Sequence, residues 1–254
     1  MELYHEPSFS RDSERFRHEL KFIIPVGAAD SLYRELETFC EYDKHSGGMN
    51  SYEVASVYYD TEDLQFYWDR EESVGYRRKL RLRSYNSEGE AKALFLEIKE
   101  KHKQFVCKKR VNLTSKEILT KLPLHDRIPL DQLLPYLPDN AEAREIGYLH
   151  RRLALRPIVM IRYQRKAIIP KFEHDMRITL DTELLAGGVS LPQKDPSLER
   201  LLLPPGSGVF EVKTNFNVPL WLQSVLLRYE LRQTKFSKYC VAVRAVNRFS
   251  LSRS

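Results

Sequence analysis

The sequence predicts an α+β fold, an antiparallel eight-stranded β-barrel with helices packed outside it. Three observations carry this expectation. Several segments alternate apolar and polar residues with period two, turn-forming residues separate them, and stretches of helix-spaced apolar residues lie between or after them. With 254 residues, 42% of them hydrophobic, the chain can bury a substantial core, and it reads as one domain over 1–254.

The first strand covers 17–24, where Arg17, Glu19 and Lys21 alternate with His18, Leu20, Phe22 and Ile24 until Pro25 ends it. A helix follows over 28–40, with Leu32, Leu36, Phe39 and Cys40 at helical spacing and Asp30 or Ser31 near its start. Residues 54–59 are β-branched and aromatic, and 75–85 sets Leu80 and Leu82 opposite Lys79, Arg81 and Arg83. The turn residues Asn86-Ser87-Glu88-Gly89 lead into 94–101, which alternates Leu94, Leu96 and Ile98 with Phe95, Glu97, Lys99 and Lys101. Residues 105–113 add the next strand. From about 114 to 156 the pattern becomes a helical insert, broken by Pro123, Pro129, Pro135 and Pro138. Strands return at 158–169 and 176–180, a Gly- and Pro-rich passage occupies 187–208, and 209–214 is the last strand. Amphipathic helices are predicted over 220–231 and 237–249.

Composition excludes several classes of function. No apolar run approaches the roughly 18–20 residues needed to span a bilayer, and the amino-terminal stretch lacks the apolar core of a secretory signal, so a cytoplasmic protein without a membrane span is expected. Cys40, Cys107 and Cys240 are far apart and form no metal-binding spacing, which argues against disulfides and zinc. The seven His are scattered and no Ser stands beside a partner, so no nucleophile centre is apparent. Lys and Arg exceed Asp and Glu by 6, yet the basic residues alternate with aliphatics instead of exposed aromatics, and nucleic-acid binding is not expected.

The charged positions carry the chemistry. Arg77, Lys79, Arg81 and Arg83 are spaced by two, so one strand face presents four cations with no acid among them. At about 7 Å and an effective dielectric near 20, each neighbouring pair costs about 2 kcal/mol before salt screening, which calls for something negative nearby. Other strands repeat the pattern in Arg17, Glu19 and Lys21, in Glu97, Lys99 and Lys101, in Lys108 and Arg110, and in Glu211 and Lys213. If helices cover the apolar face of a barrel, these faces line its interior, and a polyanion is the ligand that satisfies so many cations at once. Glu19, Glu97 and Glu211 each stand two residues before a Lys. Mg²⁺ or Mn²⁺ bridging these carboxylates to the ligand's oxygens reconciles acids with an anionic ligand.

The segments Arg17-His-Glu-Leu-Lys-Phe, Ser56-Val-Tyr-Tyr-Asp-Thr, Lys79-Leu-Arg-Leu-Arg, Phe95-Leu-Glu-Ile-Lys, Lys108-Lys-Arg, Arg162-Tyr-Gln-Arg, Arg177-Ile-Thr-Leu-Asp-Thr, Phe210-Glu-Val-Lys and Lys235-Phe-Ser-Lys occur in that order. Together they resemble the vacuolar transporter chaperone (VTC) domain, a polyphosphate polymerase of the triphosphate tunnel metalloenzyme, or CYTH-like, superfamily. The resemblance implies an eight-stranded tunnel in which the γ-phosphate of ATP passes to a growing inorganic polyphosphate chain, with ADP released and a Mn²⁺-type ion assisting. It places Lys21, Arg81, Arg83, Lys99, Lys108, Arg165 and Lys238 at the phosphate-gripping positions and Glu211 at the metal-binding glutamate. Arg177, Lys213 and Glu97 follow as further contributors, with Glu19 as an added metal ligand and Arg17, Lys79, Arg110 and Lys235 as added substrate contacts. Tyr59 and Asp60 read as structural.

Two departures bear on the activity. Arg17 stands where the wider superfamily begins a Glu-x-Glu-x-Lys motif, which leans away from a two-metal hydrolase toward the polymerase branch. The phosphate-sensing and membrane-spanning domains that accompany the eukaryotic polymerase are not in this sequence, so the product is expected to be released or passed to a separate membrane or acceptor partner. An inorganic or nucleoside triphosphatase of the same fold and a non-catalytic polyphosphate or nucleotide sensor are the alternatives.

Overall fold

The computed structural model describes residues 18–43, 51–87, 90–102, 105–115, 118–119, 128–173, 175–188, 199–215 and 217–246. Its centre is one antiparallel sheet. In chain order the strands are β1 (His18–Pro25), β2 (Cys40–Tyr42), β3 (Tyr52–Asp60), β4 (Tyr76–Ser87), β5 (Glu90–His102), β6 (Phe105–Asn112), β7 (Arg156–Pro170), β8 (Arg177–Gly188), β9 (Arg200–Leu201) and β10 (Ser207–Thr214). Eight of them form a continuous path, β1-β10-β8-β7-β3-β4-β5-β6, while short β2 pairs with β7 and short β9 with β8.

The eight strands of the path are the eight the alternation predicts, but the barrel is not closed by backbone hydrogen bonds, since β1 and β6 end the path. Other groups cross the gap between its ends. Lys99 on β5 donates to Glu19 on β1 at 3.0 Å. The segment before the last helix runs beside the free edge of β1, where Gln233 bridges to Phe22 and the Thr234 amide donates to the Lys21 carbonyl at 2.8 Å. From that segment Ser237 reaches Lys79 on β4 at 2.8 Å.

Period-two alternation divides the sheet into two faces with different fates. Outward, Val57, Tyr59, Leu80, Leu82, Leu94, Leu96, Ile98 and Val111 are buried beneath the insert, whose α3 (Leu130–Leu133) and α4 (Ala141–Leu153) contribute Leu130, Leu133, Ala143, Ile146 and Leu149. Asn140 caps α4 by accepting from the Ala143 amide at 2.8 Å. Further round, Phe22, Ile24, Ile178, Leu180, Phe210 and Val212 pack under α1 (Val26–Leu36) and α5 (Leu220–Arg228). Each such fully buried side chain is worth about 1.5–3 kcal/mol in transfer free energy. The inner face is polar except where Val159, Ile161 and Val209 meet α6 (Lys238–Val246) through Tyr239, Cys240, Ala242 and Val243. The remaining helix, α2 (Gln65–Glu71), is anchored by Asp60, which accepts from the Thr61, Phe66 and Tyr67 amides and from the Tyr239 hydroxyl.

Boundaries differ from the sequence expectation where a partner strand overrides helical spacing. Phe39 and Cys40 do not extend the first helix, which ends at Leu36, because Cys40–Tyr42 pairs with Ile168–Pro170. The strand expected over 176–180 runs on to Gly188, held by β7 on one side and β9 on the other. The helix expected over 220–231 stops at Arg228, and Glu230 takes a left-handed conformation (φ 49°). Arg17, the tip of the β4–β5 turn, much of the first part of the insert and the end of the helix expected to reach 249 lie outside the described residues.

Candidate active site

Registry between neighbouring strands fixes which polar side chains face one another inside the sheet. On the β4–β6 wall, Arg81 is opposite Glu97 and Glu97 opposite Arg110, while Lys79, Lys99 and Lys108 form the adjacent row. Glu97 is 1% exposed, and four cations converge on it. Its Oε2 accepts from Arg81 Nε at 2.8 Å, with Arg81 Nη2 at an ion-pair distance of 2.7 Å and Arg83 Nη1 at 4.0 Å. Its Oε1 accepts from Lys108 at 2.6 Å and from Arg110 Nε at 2.8 Å, with Arg110 Nη2 at an ion-pair distance of 2.6 Å. Burial opposes ionisation of Glu97, but Arg81, Arg83 and Lys108 outweigh it and hold the carboxyl far below the usual range. Arg81 also donates to the Tyr58 hydroxyl at 3.0 Å, and Arg83 donates to Ser56 and to Tyr163, each at 3.2 Å.

The opposite wall, from β1, β10, β8 and β7, is richer in carboxylates. Arg165 and Asp181 are both buried and joined bidentately at 2.6 and 2.8 Å, and Lys238 of α6 adds a third group at 2.6 Å from Asp181. Burial raises the Asp181 pKa, but Arg165 and Lys238 bring it down to about 2. Glu211 and Glu19 lie within hydrogen-bond reach of each other. Burial works against ionisation of both, and Glu211 adds to it at Glu19, where Lys99 and Lys21 prevail; Lys213, a hydrogen bond with Glu19, Lys21 and Lys238 bring Glu211 down, so both stay below the ordinary carboxylate range. Lys213 stands 2.9 Å from Glu211 Oε1 without aligning a hydrogen bond, so this buried oxygen accepts none.

With one lysine beside Glu211 Oε1 and one beside each oxygen of Glu19, Lys21 and Lys99 at 3.0 Å, this pair keeps lone pairs for a hard divalent cation of the Mg²⁺ or Mn²⁺ type, which uses one or two carboxylates and completes its shell from ligand oxygens. Glu97 does not fit one. A carboxylate offers about four lone-pair sites, and Arg and Lys donors make five contacts to them. Among the described residues no group of three or more His, Cys, Asp and Glu side chains forms a ready-made metal cage.

Three lysines of the interior carry depressed pKa values. Burial brings Lys79 to about 8, with Lys99 and Lys21 adding repulsion. Burial also brings Lys108 and Lys213 to about 8, against the pull of Glu97 and Glu211 respectively. Tyr58 falls to about 8 because Arg81, Arg83 and Lys79 outweigh its burial.

The structure thus brings Lys21, Lys79, Arg81, Arg83, Lys99, Arg165, Lys213, Lys238, Glu19, Glu97, Glu211 and Asp181 onto one inner face of the sheet, with Lys108 and Arg110 on the same face but exposed on β6, which ends the path. Arg177 lies at its border, paired with Asp43 at 2.5 Å and with the Tyr52 hydroxyl at 3.0 Å. Lys235 is exposed on the segment leading to α6, and no contact among the described residues joins it to the others. The sequence reading missed Asp181, Tyr58, Tyr163 and Ser237. Continuing the period of two from Arg177 reaches Asp181, and stepping back two from Arg165 reaches Tyr163. Ser237 stands within the Lys235-Phe-Ser-Lys motif, but its contact with Lys79 depends on how the last helix docks.

A solved structure of a Hippeastrum protein, HpAC1, described as a candidate adenylyl cyclase with dominant triphosphatase activity, has a similar fold. It is 14% identical, with a TM-score of 0.51 over 89% of this chain and 94% of that one. In this chain the inner face of the antiparallel sheet carries the cations and carboxylates described above. The family model described as the VTC domain matches residues 16–247, and the chain belongs to that family. No match is found among curated proteins.

Proposed function

We propose that this chain is an ATP-dependent polyphosphate polymerase, which moves the γ-phosphate of ATP onto a growing inorganic polyphosphate chain. Membership of the VTC family supports the reading. The observation that carries it is the opposition, across one interior, of the cation wall of Arg81, Arg83, Lys99 and Lys108 to the Glu211–Glu19 pair. Phosphoryl transfer needs in-line placement and positive groups aimed at the equatorial oxygens, and little covalent chemistry from the protein. Arg81, Arg83 and Lys99 would grip the transferring phosphate, with Lys21, Arg165 and Lys238 holding the phosphates beside it. Glu211 and Glu19 would hold Mn²⁺ or Mg²⁺, which when bound neutralises charge on the phosphate oxygens. Lys108, Arg110 and Lys79 would keep the acceptor chain aligned.

Incubation with ATP and Mn²⁺, reading polymer, ADP and orthophosphate together, tests the reading. Polymer and ADP in step are expected. ADP with orthophosphate and no polymer would instead make the chain a triphosphatase, the activity described for the Hippeastrum protein of similar fold. Binding without turnover would make it a sensor. Arg83→Ala and Glu211→Gln are each expected to abolish polymer synthesis in a folded protein, and undiminished polymer from either variant would overturn the role given to that residue.

A further inference from the structure

Glu97 is the most heavily engaged carboxylate of the interior, and all of its partners are cations. Two of these donors have a second contact that limits their movement, whereas Lys108 meets Glu97 alone among the described residues. Arg81 rests on Tyr58, and the Arg110 guanidinium lies 4.3 Å from the Phe95 ring centroid. The edges that Arg81 and Arg110 turn to Glu97 are their Nε and Nη2 sides, which leaves the Arg110 Nη1 edge without a partner among the described residues. A fork held along one edge keeps its plane fixed, and a fixed plane is what bidentate recognition of phosphate oxygens requires. A divalent cation at this carboxylate would have to displace several of these donors and sit among four positive groups, so the same geometry argues against a metal there.

We infer that Glu97 is a positioning residue for phosphate-gripping cations, which aligns Arg81, Lys108 and Arg110 with the phosphate path and does not ligate the metal. The inference rests on the proposed handling of phosphates by this interior. In a folded Glu97→Gln protein the cations gain one uncompensated charge and lose their shared anchor. Tripolyphosphate should then bind, in metal-free buffer containing EDTA, as tightly as to wild type or tighter. ADP release at saturating ATP should fall at least tenfold, because small misplacements of gripping groups are costly, while the Mn²⁺ concentration giving half-maximal rate stays within twofold. Glu97→Asp keeps the charge but withdraws it by one methylene, and should show the same split to a smaller extent.

A several-fold rise in the Mn²⁺ requirement of Glu97→Gln, with its metal-free tripolyphosphate affinity unchanged, would make Glu97 a metal ligand and overturn the inference. Failure of both variants to fold would also overturn it, by making the residue a structural anchor alone. If wild type itself does not bind tripolyphosphate, the proposed function fails instead, and that result is read before any variant is made.

Discussion

Lys79 differs from its neighbours in having Ser237 as its hydrogen-bond partner, at 2.8 Å, where Lys21, Lys99, Lys108 and Lys213 each meet a carboxylate. With its pKa near 8, it is partly neutral just above pH 8, and an arriving phosphate favours the charged form. Binding of tripolyphosphate at pH 8.5 should therefore take up protons, and affinity should fall as pH rises through 8. Calorimetry in two buffers of different ionisation enthalpy measures the uptake, which should shrink in Lys79→Met without vanishing, since Lys108 and Lys213 are also near 8. Arg165 and Asp181 make the converse case, a buried pair that cannot be broken cheaply. Asp181→Leu should destabilise the fold by about 3–5 kcal/mol in denaturant titration, because it strands both Arg165 and Lys238, and Arg165→Ala by clearly less, because Asp181 keeps Lys238 at 2.6 Å.

Elements show what could and could not be read from residue order. The cation face of β4 follows directly from Arg77, Lys79, Arg81 and Arg83, since a strand's period of two is fixed by its backbone. The pairing of Arg81, Glu97 and Arg110 is nearly as legible, because hairpin neighbours lie close in sequence and their register follows the turns. The contact of Lys238 with Asp181 was not legible: it depends on where α6 docks, and nothing within either segment encodes that. The end of α1 was misread because the demand of β7 for a partner outweighed helical spacing at Phe39 and Cys40. The insert, in contrast, packs on the outer face, so its stability and the chemistry should separate. Asn140→Ala removes the cap of α4 and should cost about 1 kcal/mol in thermal or chemical unfolding, with ADP release unchanged.

At the scale of the whole molecule, the proposed function has a polyanion complete the arrangement of charges in the interior. A ligand that binds only the folded state stabilises it by about 2.7 kcal/mol at a hundred times its dissociation constant. Tripolyphosphate should accordingly raise the melting temperature in EDTA, and the rise should diminish as salt screens the cations. A shift that is insensitive to salt would contradict the electrostatic origin given to binding. Among the described residues no helix is long and apolar enough to cross a membrane.

Gln233, Thr234 and Phe236 contact β1, and Ser237 reaches Lys79 on β4, so the lining joins β1 to a helix more than two hundred positions later. During synthesis on the ribosome, a nascent polypeptide therefore has Lys21 and Glu19 long before Lys238 and Ser237 emerge. It cannot complete this lining until α6 has cleared the exit tunnel, so β1 waits through more than two hundred further residues of synthesis before the last of its partners across the gap exists.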